Sequence, residues 1–199
     1  MTAIRWLHGL AVTALVMGSV SCGLFETRDP QEPEQPDQDC LPLTNTATVT
    51  RNIETAYGRN ALVTCYSSLI DPAFLFHPDA QDSLQNPLPF VGWNDQVEIS
   101  HNSQVATLQT FIDVDFQREY QSAIISPDQT TEVRFYEYLL RVGGLVPSDT
   151  TIARYTGLAD ITFRRGSDGQ WKVVDWADHR GTVSDSTWGL LRSNHRTGP

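Results

Sequence analysis

The sequence predicts an α+β domain behind a separate leader and spacer, on three observations. Apolar residues recur at helical spacing through much of residues 46–108, whereas residues 110–179 alternate apolar and polar side chains as strands do. Before both lies an acidic, proline-rich run, "ETRDPQEPEQPDQD" (26–39), with no large apolar residue. Helical patterns grouped ahead of consecutive strand patterns point to an antiparallel sheet with helices on one side, rather than to alternating βα units. The chain has 199 residues and 40% hydrophobic content, which suits one core of ordinary size. Its formal net charge of -10, without a Lys/Arg cluster, repels phosphate backbones and makes nucleic acid an unsuitable partner.

Residues 1–21 carry Arg5, the apolar run "LAVTALVMGSV" and no acidic residue, the pattern of a secretory leader. The apolar run is shorter than the roughly 20 residues a permanent bilayer span takes. The following "GSVSCGLF" resembles a bacterial lipoprotein signal, departing from it at Ser19, where a larger aliphatic residue is usual. The resemblance implies acylation of Cys22, which would begin the mature chain, and hence a partner membrane and a cell-envelope location. Residues 22–40 read as a self-repelling tether, since such a composition buries too little to order itself. With Cys22 lipidated, Cys40 and Cys65 remain as a pair that an oxidising compartment can close. Spacing alone leaves that pairing open.

Residues 41–199 read as one domain without internal repeats. "TATVTRNIETAYG" places Val49, Ile53, Ala56 and Tyr57 on one helical face and stops at Gly58; Leu62, Cys65, Tyr66 and Leu69 continue as a second short helix. "DPAFLFHPD" is a short strand closed by Pro78, followed by a polar loop through Leu88. In "GWNDQVEISHNSQVATL", Asp95 with Glu98 three residues on reads as a capping box, and Val97, His101, Val105 and Leu108 share one face of a third helix. "TFIDVDF", "EVRFYEYLLRV", "IARYTGLADITF" and "WKVVDWADH" are strands, the last two joined by the turn residues of "RRGSDGQ". Strict alternation in the last strand sets Trp171, Val173 and Asp175 on one face and Val174, Trp176 and Asp178 on the other. Phe135 and Leu139 likewise oppose Tyr136 and Tyr138, so apolar bulk lies on both sheet faces and both need cover. Asp178, His179 and Arg180 read as a polar strand end at the rim.

The order of these elements resembles the nuclear transport factor 2-like superfamily, with its SnoaL-like cyclases. The stretches that carry it are "YGRNALVTCYSSLIDPAFLFHP", Trp93 to His101, and the terminal hairpin ending in "GQWKVVDW". The resemblance implies a strongly curved antiparallel sheet wrapped as a cone around three N-terminal helices, with an apolar pocket between them, and a homodimer through the outer sheet face that would cover its apolar bulk. In the isomerase branch, an Asp ending the first strand is the general base, assisted by a helix Tyr and a protonated strand Asp. Here His77 stands at the base position, Ile53 or its neighbour stands where the tyrosine would be, and Asp160 is out of phase with inward Ala159 and Ile161, so isomerase activity does not transfer. The remaining chemistry is His/Asp acid–base work using His77 and His101 with a carboxylate, Asp175 or Asp178, in a pocket that Tyr57, Trp93 and Trp176 would help line. A histidine on an apolar helix face is more commonly a core residue, and strand-end carboxylates are commonly solvated. His77, Asp79 and Asp82 lack metal-site spacing, and no phosphate loop or nucleophile elbow is present, so neither metal nor cofactor is expected. Three functions remain: an envelope-anchored pocket domain that binds a small apolar or amphipathic molecule or serves as a scaffold; a cyclase, isomerase or dehydratase; and a structural accessory of an envelope complex.

Overall fold

The computed structural model describes residues 40–58, 63–109, 111–144 and 151–196. The expected leader, Cys22 and the expected tether up to residue 39 lie outside the described residues. The helices are α1 (Thr46–Gly58), α2 (Val63–Leu69), α3 (Ala80–Gln85), α4 (Asp95–Leu108) and α5 (Trp188–Asn194). The strands are β1 (Ile70–His77), β2 (Ile112–Ile125), β3 (Thr131–Gly143), β4 (Ile152–Arg165) and β5 (Trp171–His179), in the spatial order β1-β5-β4-β3-β2. The sheet is open, with β1 and β2 at its edges.

The sheet is not wholly antiparallel. β1 runs parallel to β5, while the other three pairings are antiparallel. A parallel pair needs a long crossover, and everything from α3 to β4 supplies it. Two helices were not legible as such. α3 begins within the expected loop, where the Asp79 side chain caps the Gln81 N–H, and α5 follows β5, capped by Thr187 on the Leu190 N–H. The N-cap of α4 is Asn94, whose side chain accepts from Val97 N–H, so Asp95 is the first helical residue. Glu98 does not close a capping box, because its side chain is buried elsewhere.

The last strand departs from strict alternation. Thr162 pairs with Asp175 but Phe163 pairs with Val173, leaving Val174 as an extra residue. This bulge resets the period of two. Trp171, Val173, Trp176 and Asp178 therefore all face inward, opposite Arg165, Phe163, Ile161 and Ala159, and all four are buried. The expected division of the two tryptophans between opposite faces is thus corrected, and the outer sheet face loses the bulk that argued most strongly for a sheet-to-sheet homodimer. Phe135 on that face is covered by Tyr120, their ring centroids 5.8 Å apart.

One hydrophobic core joins α1, α2, β1, α4 and the inner sheet face through Val49, Ile53, Leu69, Phe74, Val105 and Ile161. α1 packs on β2 and β5, and α4 packs on β1 and α2. Cys40 and Cys65 are joined by a disulfide, their Cα atoms 5.3 Å apart. It ties the start of the domain to α2, while the Asn52 amide of α1 brackets the Leu41 N–H and C=O at 2.8 Å each. Gly157 lies where β4 meets β5: a Cβ there would stand 2.6 Å from the His179 carbonyl oxygen and 2.6 Å from the Tyr138 hydroxyl. Gly157→Ala is expected to lower stability by about 1–3 kcal/mol, since the carbonyl belongs to a paired strand that cannot retreat alone. A urea midpoint unchanged from wild type would show that the strands yield there.

Candidate functional site

Inside the cone, the residues that meet are charged and aromatic. Glu98, on the buried face of α4, accepts from Arg192 of α5 at both oxygens, Nη2–Oε1 2.8 Å and Nε–Oε2 3.0 Å. The Tyr66 hydroxyl donates to Oε1 at 2.6 Å and the Trp93 indole N–H to Oε2 at 2.7 Å. Neither charged residue has solvent access, 0% for each side chain. The Arg192 guanidinium lies over three rings, 4.2 Å from the centroid of Phe76, 4.6 Å from Trp176 and 5.2 Å from Trp188. Burial alone would raise the Glu98 carboxyl. The charge and hydrogen bonds of Arg192 outweigh that and hold it at about 2, while Glu98 keeps Arg192 protonated.

α5 is anchored at its other end by a second buried group. Asp178 accepts from the Tyr138 hydroxyl at 2.7 Å and from Gly189 N–H at 2.5 Å, and the Tyr138 oxygen accepts from Trp188 N–H at 2.7 Å. Asp178 is therefore not a solvated strand end. Burial lifts its carboxyl to about 6, against the lowering effect of the Tyr138 bond and the Arg192 charge. Thr187 donates to Asp82, and Arg180 pairs with Asp79 and Asp82, which fixes the segment leading into α5. Between these anchors the Trp188 ring fills the cone, with ring centroids 4.8 Å from Trp176, 5.1 Å from Tyr57, 5.5 Å from Tyr138 and 6.2 Å from Phe116.

The two histidines expected to share a pocket do not meet. Phe76 faces inward and, by strand alternation, His77 faces outward. There His77 Nε2 lies 2.8 Å from Asp175 Oδ2, with side chains 56% and 34% exposed. His179 Nε2 lies 3.1 Å from Asp160 on the same outer face, and Asp160 also accepts from Tyr120. His101 is wholly buried at the edge of the Trp93 ring, 5.6 Å between centroids. Burial pulls its imidazole down to about 4, partly offset by Glu98. Tyr57, Trp93 and Trp176 are buried as well, so the expected pocket lining is packed side chain against side chain. A separate cleft of about 530 Å³ lies over β2–β4 and residues 181–185, lined by Arg118, Tyr120, Glu137, Thr156, Leu158 and Thr182. None of the residues selected from the sequence lines it. Among the described residues no three His, Cys, Asp or Glu side chains converge as a metal site.

Sequence reasoning missed Glu98, Arg192, Tyr66, Tyr138 and Trp188. Glu98 carried a misleading signal, a helix-cap spacing, and Arg192 lies in a short C-terminal segment whose "TWGLLRSN" pattern is the only trace of a capped helix.

The buried groups give opposite pH contributions. His101, neutral in the fold, holds off a proton that the unfolded chain takes up below about 6.5, so acidification from 6.5 to about 4 costs stability. Asp178 takes up a proton in the fold near pH 6 that the unfolded chain takes up only near 3.8, so acidification across that window adds stability. Glu98 contributes stability above about 4.5 that is lost as pH falls toward 2. Removing the first contribution by His101→Gln is expected to leave a variant whose stability, relative to wild type, improves from pH 7 to pH 4.5. Urea midpoints at the two values check this, and a gap that widens in the other direction would contradict it.

The chain has the nuclear transport factor 2-like fold. Solved structures that share it include a protein named as an aromatic ring hydroxylase from Novosphingobium aromaticivorans (TM-score 0.55, 11% identity, 78% of this chain and 98% of that one). A protein named as a dehydratase of the NTF2-like family from Streptomyces avermitilis aligns with TM-score 0.50, 16% identity and 69% and 94% of the two chains. One named as a scytalone dehydratase, from Novosphingobium aromaticivorans, aligns with TM-score 0.51, 10% identity and 72% and 90%. At these identities the likeness concerns the fold. No family model matches the chain, and no curated protein matches its sequence.

Proposed function

We propose that this protein is a lipid-anchored domain of the bacterial cell envelope that works by binding rather than by catalysis, with a small amphipathic molecule as its ligand class. The observation that carries the non-catalytic half is the separation of His77 and His101: one is solvated on the outer sheet face, the other sealed in the core. A site that uses both histidines needs them within hydrogen-bond reach of one substrate, and His77 instead meets Asp175 outside the cone. The envelope half rests on the leader, on Cys22 with its flanking small residues, and on the acidic tether. A disulfide between Cys40 and Cys65 suits an oxidising compartment. The superfamily fold favours a ligand held between helices and sheet. A scaffold role, through the outer face in contact with a second copy or with an envelope complex, is the alternative use of the same domain.

The dehydratase or cyclase reading keeps one observation in its favour, the Asp178 carboxyl lifted to about 6 beside the Tyr138 hydroxyl. Both groups are committed to holding α5 in place, which is a structural use of the pair.

Membrane fractionation of cells making the wild-type chain or Cys22→Ser, with native mass spectrometry of the purified protein, tests the proposal. Wild type is expected in the membrane fraction and Cys22→Ser in the soluble one, because several acyl chains at about 0.8 kcal/mol per CH₂ are what hold the protein to lipid. Equal membrane association of the two chains would sink the anchor. Turnover of a retained compound would sink the binding-only half.

A further inference from the structure

The buried ion pair has the form of a receptor with its ligand in place. Glu98 presents a carboxylate already oriented by Tyr66 and Trp93, and Phe76 and Trp176 stand as aromatic walls. A carboxylate within aromatic faces recognises an organic cation, above all a planar guanidinium that can take both oxygens at once. The group seated there comes from α5, a helix of only seven residues at the end of the described chain. Around it, polar atoms are sealed without a hydrogen-bond partner among the described residues: the Tyr57 hydroxyl, both ring nitrogens of His101, the Asn102 amide, the Trp176 indole N–H and Arg192 Nη1. Tyr66 and Asn102 lie close enough to Tyr57 to lower its pKa, and the His195 backbone close enough to His101 to raise its own, without meeting hydrogen-bond geometry. A core built only for packing leaves few such groups, and their clustering here marks a space shaped for polar company.

We propose that α5 is an internal plug whose Arg192 occupies a cation-binding site of the cone, and that when α5 withdraws the same site takes an amphipathic organic cation with a guanidinium head. This deepens the binding-domain reading above and rests on it for a ligand held between helices and sheet. With α5 out, Glu98 is left uncompensated in an aromatic setting beside neutral His101, so the emptied site selects for positive charge. The Trp188 contacts vacated with it leave Tyr57, Phe116, Tyr138 and Trp176 to receive an apolar tail. The anchors at Asp82 and Asp178 hold the N-terminal end of the plug, so opening begins at the Arg192 end and frees Trp188 only once those anchors let go.

Hydrogen exchange on the full wild-type chain tests this, with N-butylguanidinium as probe and N-butylurea as its neutral isostere. The α5 amides are expected to exchange through a local opening, faster than the inner amides of β3 and β4. A cation that binds only the open form multiplies its population by 1 + [L]/Kd, so about tenfold faster α5 exchange is expected at ten times Kd. Exchange of β3 and β4 should be unchanged, which separates binding from denaturation, and butylurea should do nothing. In parallel, Arg192→Ala should gain a saturable rise in melting temperature from butylguanidinium and none from butylurea. Exchange of α5 only together with β3 and β4, equal effects of the two probes, or a folded Arg192→Ala without a saturable response would each overturn the proposal. If Arg192→Ala does not fold, the wild-type exchange decides alone. Fractionation of Cys22→Ser reads the envelope anchor independently, so failure of either idea is recognisable by itself.

Discussion

Arg192→Ala is expected to lower stability by about 3–5 kcal/mol, the usual cost of stranding one member of a buried ion pair. The arginine makes two charge-assisted hydrogen bonds to Glu98 and covers three rings, and none of these partners can reach water. Its removal leaves a carboxylate in a dry setting, with only Tyr66 and Trp93 as donors. Burial then prevails over the lost guanidinium, and the Glu98 carboxyl moves from about 2 to above its ordinary value. The variant's folded state consequently binds a proton at mild acidity that its unfolded state does not, so its deficit against wild type shrinks as pH falls. Adding Glu98→Leu to Arg192→Met should recover most of the loss, since replacing both partners with apolar groups of similar volume is often neutral. Urea midpoints of the two single variants and the double variant at pH 7.5 and pH 5 form the cycle that checks this.

Trp188→Ala is expected to cost a similar amount, about 3–5 kcal/mol, for a different reason. The indole is fully buried against Tyr57, Phe116, Tyr138 and Trp176, so alanine leaves a void that rings fixed on four other elements cannot all collapse to fill. With typical domain stabilities of about 5–15 kcal/mol, either substitution removes a large fraction of the total. The two should be separable by pH, because the Trp188→Ala deficit involves no titrating group and should stay constant between pH 7.5 and pH 5. Trp188→Phe should recover part of it by retaining an aromatic ring. A Trp188→Ala midpoint within error of wild type would mean that α5 does not seat in the cone in solution.

Much of the architecture was legible because period carries it. The five strands and the three longer helical stretches show their alternation or their i, i+3, i+4 spacing directly. What escaped was set by tertiary contacts. Val174 is an ordinary β-branched residue, and nothing local marks it as the bulge that turns Trp176 and Asp178 to the same side as Trp171. The direction of β1 is likewise invisible, since pairing with β5 is chosen over a separation of about a hundred residues. Glu98 reads as half of a capping box and Arg192 carries no signal of its own, because the sequence does not show their partners and a buried charge can be recognised only by what neutralises it. His77 and His101 were chosen for shared chemistry, yet one lies on each side of a surface whose faces alternate residue by residue. The polar residues of "DWADHR" divide three ways: Asp175 and His179 on the outer face, Asp178 in the core under α5, and Arg180 tied to α3 through Asp79 and Asp82.

Arg192 is locked on Glu98 inside the cone, and the side-chain NMR signal of its Nε–H reads this directly. A hydrogen bonded to a buried carboxylate should exchange with water far more slowly than that of Arg118, whose side chain is 73% exposed. The slow signal should disappear in Glu98→Gln. An Arg192 signal that exchanges as fast as Arg118 in the wild-type chain would contradict the account.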